Sequence, residues 1–298
     1  MYSQHAAYRR SFWFVVCASL FWGTVGVATR FIYAQSATNA LALAFWRLAL
    51  ATPVFLIVLC HQRGRHSFQI RWRDLGIMLG MGMMQALYQA CYNLAVFSVG
   101  VTIATLLALC GAPVFIALYS TCAARRLPST RILLAMGCAL LGTILLVGSG
   151  VHPVAGSFSL AGIGIAIFTA CCYAVYILLG QRLTALYHPL QINTIAFGSG
   201  ALLLLGVCLS SSSLVATYPL PSWLLLLYLG CVPTALAYGL FQAGLRSLSA
   251  TVVSVVTLCE PLAAALLAWL FFHEELGWLG LLGAALLPAT LVLLARSQ

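Results

Sequence analysis

The sequence predicts an all-α polytopic membrane protein with ten transmembrane helices, built as two inverted five-helix repeats. Three observations predict it. Hydrophobic residues make up 63% of the 298-residue chain and charged residues only 6%. A water-soluble domain carries roughly 25% charged residues, so this chain lacks the polar groups to cover a soluble surface. Next, ten apolar runs follow one another through short connections, each near the ~20 residues a helix needs to cross hydrocarbon. Finally, one slot reads Ala124-Arg125-Arg126-Leu127 in the first half and His273-Glu274-Glu275-Leu276 in the second. Loops that stay in the cytoplasm collect Arg and loops that cross do not, so opposite charge in one slot implies opposite insertion.

The elements follow in order. Span 1 (about 11–33) comes after Tyr8-Arg9-Arg10. It exceeds the ~7–15 residues of a signal-peptide core and no small-residue cleavage site follows, so it stays in the protein. It carries Ser19, Trp22 and Thr24. Span 2 (39–60) carries Arg47 and Pro53, span 3 (74–97) Gln85, Tyr88, Gln89, Tyr92 and Asn93, and span 4 (100–122) Pro113. Span 5 (131–149) closes the first repeat, residues 11–149. Span 6 (159–181) carries Tyr173 and Tyr176, span 7 covers 190–210, and span 8 (222–245) carries Pro233, Tyr238 and Gln242. Span 9 (249–272) carries Glu260 and Pro261, and span 10 (277–295), with Pro288, closes the second repeat, residues 159–295.

With the N-terminus inside, 12 of the 14 Arg fall in inner segments, which places both termini in the cytoplasm. A unit with an odd number of spans must insert its tandem copy upside down. Local matches support the duplication: Trp72 with Trp223, Leu79-Gly80 with Leu229-Gly230, Tyr88 with Tyr238, Pro113 with Pro261, and Gly137 through Leu141 with Gly283 through Leu287. The spacings Gly76-x-x-x-Gly80 and Gly277-x-x-Gly280-x-x-Gly283 would permit close helix approach.

The net charge of +10 is carried by Arg in short loops, with no basic domain, so nucleic acid is excluded as a partner. All 14 basic residues are Arg, a bias of GC-rich coding that points to a bacterial inner (plasma) membrane. The 11 Cys are scattered through apolar spans without metal spacing, and their odd number argues against a complete disulfide framework. His273-Glu274-Glu275 lacks the second His of a zinc-protease motif. No Lys is present, hence no nucleotide-binding Gly-x-x-x-x-Gly-Lys loop. Neither metal nor cofactor is expected.

Glu260 is the one acid deep in a span. A charge there costs at least ~2.5–3.5 kcal/mol, so it must face a partner, a cavity or a proton. Two readings stay open: a cavity acid that exchanges a proton, or a fixed ion pair with Arg47, whose depth differs by only ~6 Å at 1.5 Å per residue. The span 3 polar residues recur at i, i+3, i+4 and i+7 and so share much of one face. Lipid would not tolerate that face. With Trp22, Thr24, Tyr173, Tyr176, Tyr238 and Gln242 it suits an aromatic, hydrogen-bonding cavity for flat, amphipathic or cationic organic molecules. Interhelical hydrogen bonding alone would explain the same residues. Pro113 and Pro261 sit at matching places, and paired interruptions point to a central site between repeats.

Several segments resemble the EamA family of the drug/metabolite transporter superfamily. They are Phe21-Trp22-Gly23-Thr24-Val25-Gly26, Phe45-Trp46-Arg47-Leu48, Ala112-Pro113-Val114-Phe115, Glu260-Pro261-Leu262 through Trp269-Leu270-Phe271, and His273-Glu274-Glu275-Leu276. The resemblance covers about 11–147 and 160–295, and departs at Arg125, where the family often has Glu. It implies a ten-helix secondary carrier, often an exporter of amino acids, metabolites or toxic organics. It also implies a cavity lined by helices 1, 3, 4, 6, 8 and 9.

The expectation is therefore an exporter of small organic metabolites working by alternating access. Trp22, Thr24, Gln85, Tyr88, Gln89, Tyr92, Asn93, Tyr173, Tyr176, Tyr238 and Gln242 would bind substrate. Glu260 and Arg47 would be the coupling or buried charges, and Pro113 and Pro261 the hinges. The partners would be a small-molecule substrate, the lipid bilayer and protons, and the protein would be a monomer or weak dimer. The alternatives are a facilitative exchanger or uniporter, and, less favoured, a membrane-embedded enzyme or a channel.

Overall fold

The computed structural model describes residues 2–63, 69–125, 127–148, 159–273 and 277–295. Among the described residues all regular structure is helical. The helices are α1 (Tyr2–Gln35), α2 (Ala40–Arg63), α3 (Trp72–Val99), α4 (Val101–Ala124), α5 (Thr130–Gly148), α6 (Leu160–Thr184) and α7 (Pro189–Ser210), followed by α8 (Leu220–Gly244), α9 (Ala250–Phe272) and α10 (Trp278–Ala295). Nine of them are long and apolar enough to cross a membrane. The other, α3, is 28 residues long. Gln85, Gln89, Asn93 and the first-turn Asp74 lower its hydropathy, which is the cost of carrying the polar face. The chain is thus a multi-pass membrane protein of ten helices. Arg65, Arg126, Glu274, Glu275, Leu276 and Arg296, which entered the orientation and motif readings, lie outside the described residues.

Local chemistry sets the helix ends. Asn39 Oδ1 accepts from the Ala42 amide at 2.9 Å, Ser159 Oγ from Gly162 at 3.2 Å, and Ser249 Oγ from Val252 at 3.3 Å. Each occupies an amide that has no partner within its helix. Helix α7 starts with Pro189 after His188, whose side chain takes part in a capping box with Gln191. Gly100 alone separates α3 from α4, at φ 82, a backbone region that glycine enters freely. Helices α4 and α9 end alike, each on a non-glycine residue in the left-handed region, Arg125 (φ 49) and His273 (φ 52). This is a repeat equivalence visible in the backbone.

The two halves interlock. The most extensive packings join α5 to α10, α3 to α6 and α7, α2 to α7, α4 to α6, and α1 to α8 and α9, with α2 also on α8. Replacing each helix by the one five places along turns α3–α6 into α8–α1, α3–α7 into α8–α2, and α4–α6 into α9–α1. The pairs α2–α7 and α5–α10 map onto themselves. Packing therefore obeys the two-fold exchange that an inverted repeat requires, and the major interfaces all cross between halves. At the α5–α10 seam Gly142 and Gly283 approach reciprocally. A Cβ on Gly142 would stand 3.1 Å from the Gly283 carbonyl oxygen, and one on Gly283 would stand 2.6 Å from that of Gly142. A Cβ on Gly76, Gly80 or Gly277 would meet nothing within 4 Å, so the close approach expected at those three positions is absent.

Prolines act differently in the two halves. In α4 the helix continues through Pro113. In α8 a π-helical segment, Gly230–Leu236, surrounds Pro233. Proline cannot donate to the carbonyl four residues back. That carbonyl, Leu229, instead accepts the Thr234 hydroxyl at 2.7 Å. In α9 a 3₁₀ turn, Thr257–Cys259, precedes Glu260 and Pro261. It begins at Thr257, whose carbonyl gets no bond from Pro261 and accepts the Glu260 amide instead.

Candidate functional site

A cavity of about 550 Å³ lies among α1, α2, α3, α4, α6, α8 and α9, within the ~300–1,000 Å³ range of small-molecule sites. Its deep wall is aromatic. Trp22 packs on Tyr238 with ring centroids 4.8 Å apart, Tyr88 on Tyr173 at 5.4 Å, and Tyr88 stacks on Tyr92 at 6.2 Å and 13°. Gln89, Asn93 and Thr105 add hydrogen-bonding groups. The Tyr92 hydroxyl and Thr105 Oγ1 share a 2.7 Å hydrogen bond, which fixes one wall. The lining extends to Tyr33, Ala40, Val96 and Val101, at the ends of α1, α2, α3 and α4 that lie away from the chain termini.

Both deep charges reach this cavity. Arg47 and Glu260 line it together, yet no nitrogen–oxygen contact of 4.0 Å or less joins them. Arg47 Nε donates instead to Thr234 Oγ1 at 3.4 Å, the same hydroxyl that serves the π-helical segment. Glu260 begins the α-helical part of α9, directly after the 3₁₀ turn. The helical interruptions of α8 and α9 thus stand behind the cation and the acid. Opposite charges held apart in one aromatic cavity can receive a ligand that carries both signs.

The structure gathers Trp22, Tyr88, Gln89, Tyr92, Asn93, Tyr173, Tyr238, Arg47 and Glu260 around the cavity. It places Thr24, Gln85, Tyr176 and Gln242 outside the lining. Thr24 Oγ1 donates to the Phe21 carbonyl at 2.7 Å and accepts from the Tyr228 hydroxyl at 2.9 Å, at the α1–α8 contact. Gln85 Nε2 donates to the Tyr238 hydroxyl at 3.0 Å and braces that ring from below. Tyr176 and Gln242 are fully buried. Pro113 and Pro261 are buried in the helices rather than in the wall. Sequence reasoning missed Thr105, Asn193 and Thr234. A polar residue in an apolar run was the available signal for Thr105 and Thr234, with Pro233 a second for Thr234, and the polar cluster Gln191, Asn193 and Thr194 was the signal for Asn193.

The opposite side is closed. Below Trp22 and Tyr238, Phe12, Val15, Phe55, Phe197, Phe241 and Val253 are almost without exposure. Gln181 Nε2 donates to the Leu248 carbonyl at 3.0 Å, tying α6 to the α8–α9 connection. At the surface the Tyr187 hydroxyl donates to Asp74 Oδ2 at 2.6 Å and accepts from the Arg71 amide at 3.3 Å. This bond joins the start of α3 to the α6–α7 connection, one half to the other. The Asp74 carboxylate, by that bond, raises the pKa of the Tyr187 phenol above its ordinary value.

Comparison with known proteins places these features in context. The sequence profile described as the EamA-like transporter family matches residues 9–148 and 160–296, one match for each half. An "Uncharacterized transporter YwfM" of Bacillus subtilis (strain 168) is 26% identical, over 95% of this chain and 93% of its own. An "Uncharacterized inner membrane transporter YicL" of Salmonella typhimurium is 27% identical over 94% and 93%. An "Uncharacterized transporter" of Archaeoglobus fulgidus is 29% identical over 95% of both chains. A crystal structure of a protein 18% identical superposes with a TM-score of 0.80 over 97% of this chain and 99% of that one; at that identity the likeness shows the fold alone.

Proposed function

The chain belongs to the EamA-like transporter family and is a membrane transporter, and from that premise we propose that it is a secondary carrier exporting small organic metabolites by alternating access. The observation that carries the reading is that Arg47 and Glu260 face one aromatic cavity without pairing with each other. Such a site suits amino acids, whose ammonium and carboxylate groups answer the two charges, and amphipathic organic cations, held by Glu260 and the Tyr and Trp faces. The cavity reaches the face away from the termini. With the Arg-rich connections in the cytoplasm, that face is the outside of a cell inner membrane, and the described state is the one that releases an exported compound.

Glu260 is the group through which proton influx drives export. A carboxylate retains the ammonium end of the substrate. A proton arriving from the open side neutralises that carboxylate, releases the substrate and lets the empty site close; once the site reopens to the cytoplasm the proton leaves and the carboxylate is restored. Arg47, held by Thr234, stays charged and keeps the carboxylate end oriented. Hinging at Pro261 and Pro113 exposes the site to each side in turn.

The test is uptake and efflux of radiolabelled L-phenylalanine and tetraphenylphosphonium in proteoliposomes, with and without a pH gradient. Gradient-driven flux of either compound, abolished in Glu260→Gln, is the expected result. Flux that ignores the gradient and survives Glu260→Gln would make the protein a facilitative exchanger or uniporter. Neither compound moving, while neither shifts the unfolding temperature, would remove both substrate classes.

A further inference from the structure

Beneath the cavity floor the closed side holds polar side chains that a permanent seal would not need. Gln85, Tyr176, Asn193 and Gln242 are all at or below 1% exposure. Several of their atoms have no hydrogen-bond partner: Gln85 Oε1, the Tyr176 hydroxyl, Asn193 Oδ1, and both Oε1 and Nε2 of Gln242. They group around Tyr238. Gln85 Nε2 donates to its hydroxyl, Asn193 Nδ2 donates to its carbonyl at 3.0 Å, Tyr176 meets its ring edge-on at 6.1 Å, and Gln242 lies one turn further along α8. Gln242 also presses on the α6 backbone, its Nε2 only 2.8 Å from where a Cβ of Gly180 would stand. Buried polar atoms are nearly always paired, so a cluster of orphans calls for an explanation.

The repeat supplies one. Tyr88 and Tyr238, matched between the halves, lie 150 residues apart and both line the cavity. The same offset carries Tyr92 onto Gln242, Gly26 onto Tyr176 and Leu43 onto Asn193. Tyr92, Gly26 and Leu43 all line the open cavity. Because the halves are inverted, Tyr92 lies outward from Tyr88 whereas Gln242 lies toward the closed face from Tyr238. Three of the four closed-side residues, Tyr176, Asn193 and Gln242, are thus two-fold images of residues in the open wall, and Gln85 joins them through its bond to Tyr238.

We propose that Gln85, Tyr176, Asn193 and Gln242 form the latent half of the translocation path, a chamber that opens toward the face bearing the termini and binds the neutral hydrogen-bonding groups of the substrate. The inference rests on the alternating-access reading above. In the opposite state the orphan atoms meet water and ligand; in the described state they are stranded. The cluster contains no charged side chain, so it holds a zwitterion or cation less tightly than Arg47 and Glu260 do. That suits a pick-up chamber leading to a central site.

Thiol labelling reads the chamber without knowledge of the substrate. Gln242→Cys is compared with the parent chain, which has the same native cysteines, in membrane vesicles of both orientations, using a membrane-impermeant methanethiosulfonate. Labelling severalfold above the parent from the terminal face, and faster still when Tyr187→Phe removes the closing bond, is the expected result. No labelling above the parent from that face in either background overturns the proposal. Gln242→Leu gives a second reading: removing stranded polar atoms raises the unfolding temperature, and a lowered one would mean that the amide is a structural contact. If Glu260→Gln abolishes transport while Gln242→Cys stays unlabelled, the carrier reading stands and this inference alone falls.

Discussion

Helices α3 and α4 of the first half run unbroken, whereas their counterparts α8 and α9 are interrupted, by a π-helical segment at Gly230–Leu236 and a 3₁₀ turn at Thr257–Cys259. Duplication supplied the same proline to α4 and α9, yet Pro113 is absorbed by a regular helix and Pro261 is not. The charge follows the same division, since Ala112 occupies the place before Pro113 that Glu260 occupies before Pro261. Fold symmetry and functional symmetry have therefore separated. Both halves supply scaffold, and the second supplies the acid and the irregular backbone around it. Local departures from α-helical geometry are common at functional sites, and here both adjoin residues that line the cavity.

The strongest way to break the comparison is to move the acid. The double variant Glu260→Ala with Ala112→Glu should lose gradient-driven flux down to the protein-free rate in proteoliposomes, although the acid count is unchanged. Recovery of flux would mean that the halves are interchangeable. A smaller effect separates the prolines. Pro261→Ala restores a helical donor at the break, and turnover should fall by about tenfold, roughly 1.4 kcal/mol on the barrier. Pro113→Ala, in a helix that is already continuous, should change turnover by less than about threefold, as measured by the same flux assay.

The smallest effect concerns the bond that ties the halves at the closed face. Tyr187→Phe should cost under about 1 kcal/mol in thermal unfolding, because the group is only partly buried and solvent screens its interaction. The phenol pKa is raised by its bond to Asp74. A group whose folded pKa lies above its unfolded value contributes fully below the unfolded pKa, ordinarily near 10, and loses that contribution as pH rises through the folded one. The stability gap between wild type and Tyr187→Phe should therefore persist through neutral pH and narrow only under strongly alkaline conditions.

How much of this was legible in the sequence depends on which residues were asked. Apolar run length located the helices, because hydrocarbon thickness leaves little freedom. The α3 stripe was legible from its period, and Tyr88, Gln89, Tyr92 and Asn93 do line one cavity. Gln85 shares that stripe yet braces Tyr238 from below, because a face has a direction around the helix but its depth depends on what packs against it. Tyr176 and Gln242 were read as wall residues, and the described state buries them; sequence gives no information on which side is closed. Depth along the helices brought Arg47 and Glu260 to one level. The 3.4 Å bond to Thr234 that holds Arg47 depends on a π-helical backbone; Pro233 marked an interruption there but not its geometry.

The interlocking of the two halves has a consequence for how the protein is made. A ribosome that has completed α5 has threaded five helices whose major packing surfaces all await helices not yet synthesised. Gly142, for example, stays bare until Gly283 arrives. The insertion machinery or the lipid must shelter those surfaces through the second half of translation. The two halves expressed as separate chains should each be degraded when alone and accumulate when produced together. Stable accumulation of residues 1–158 alone would show that the first half completes itself.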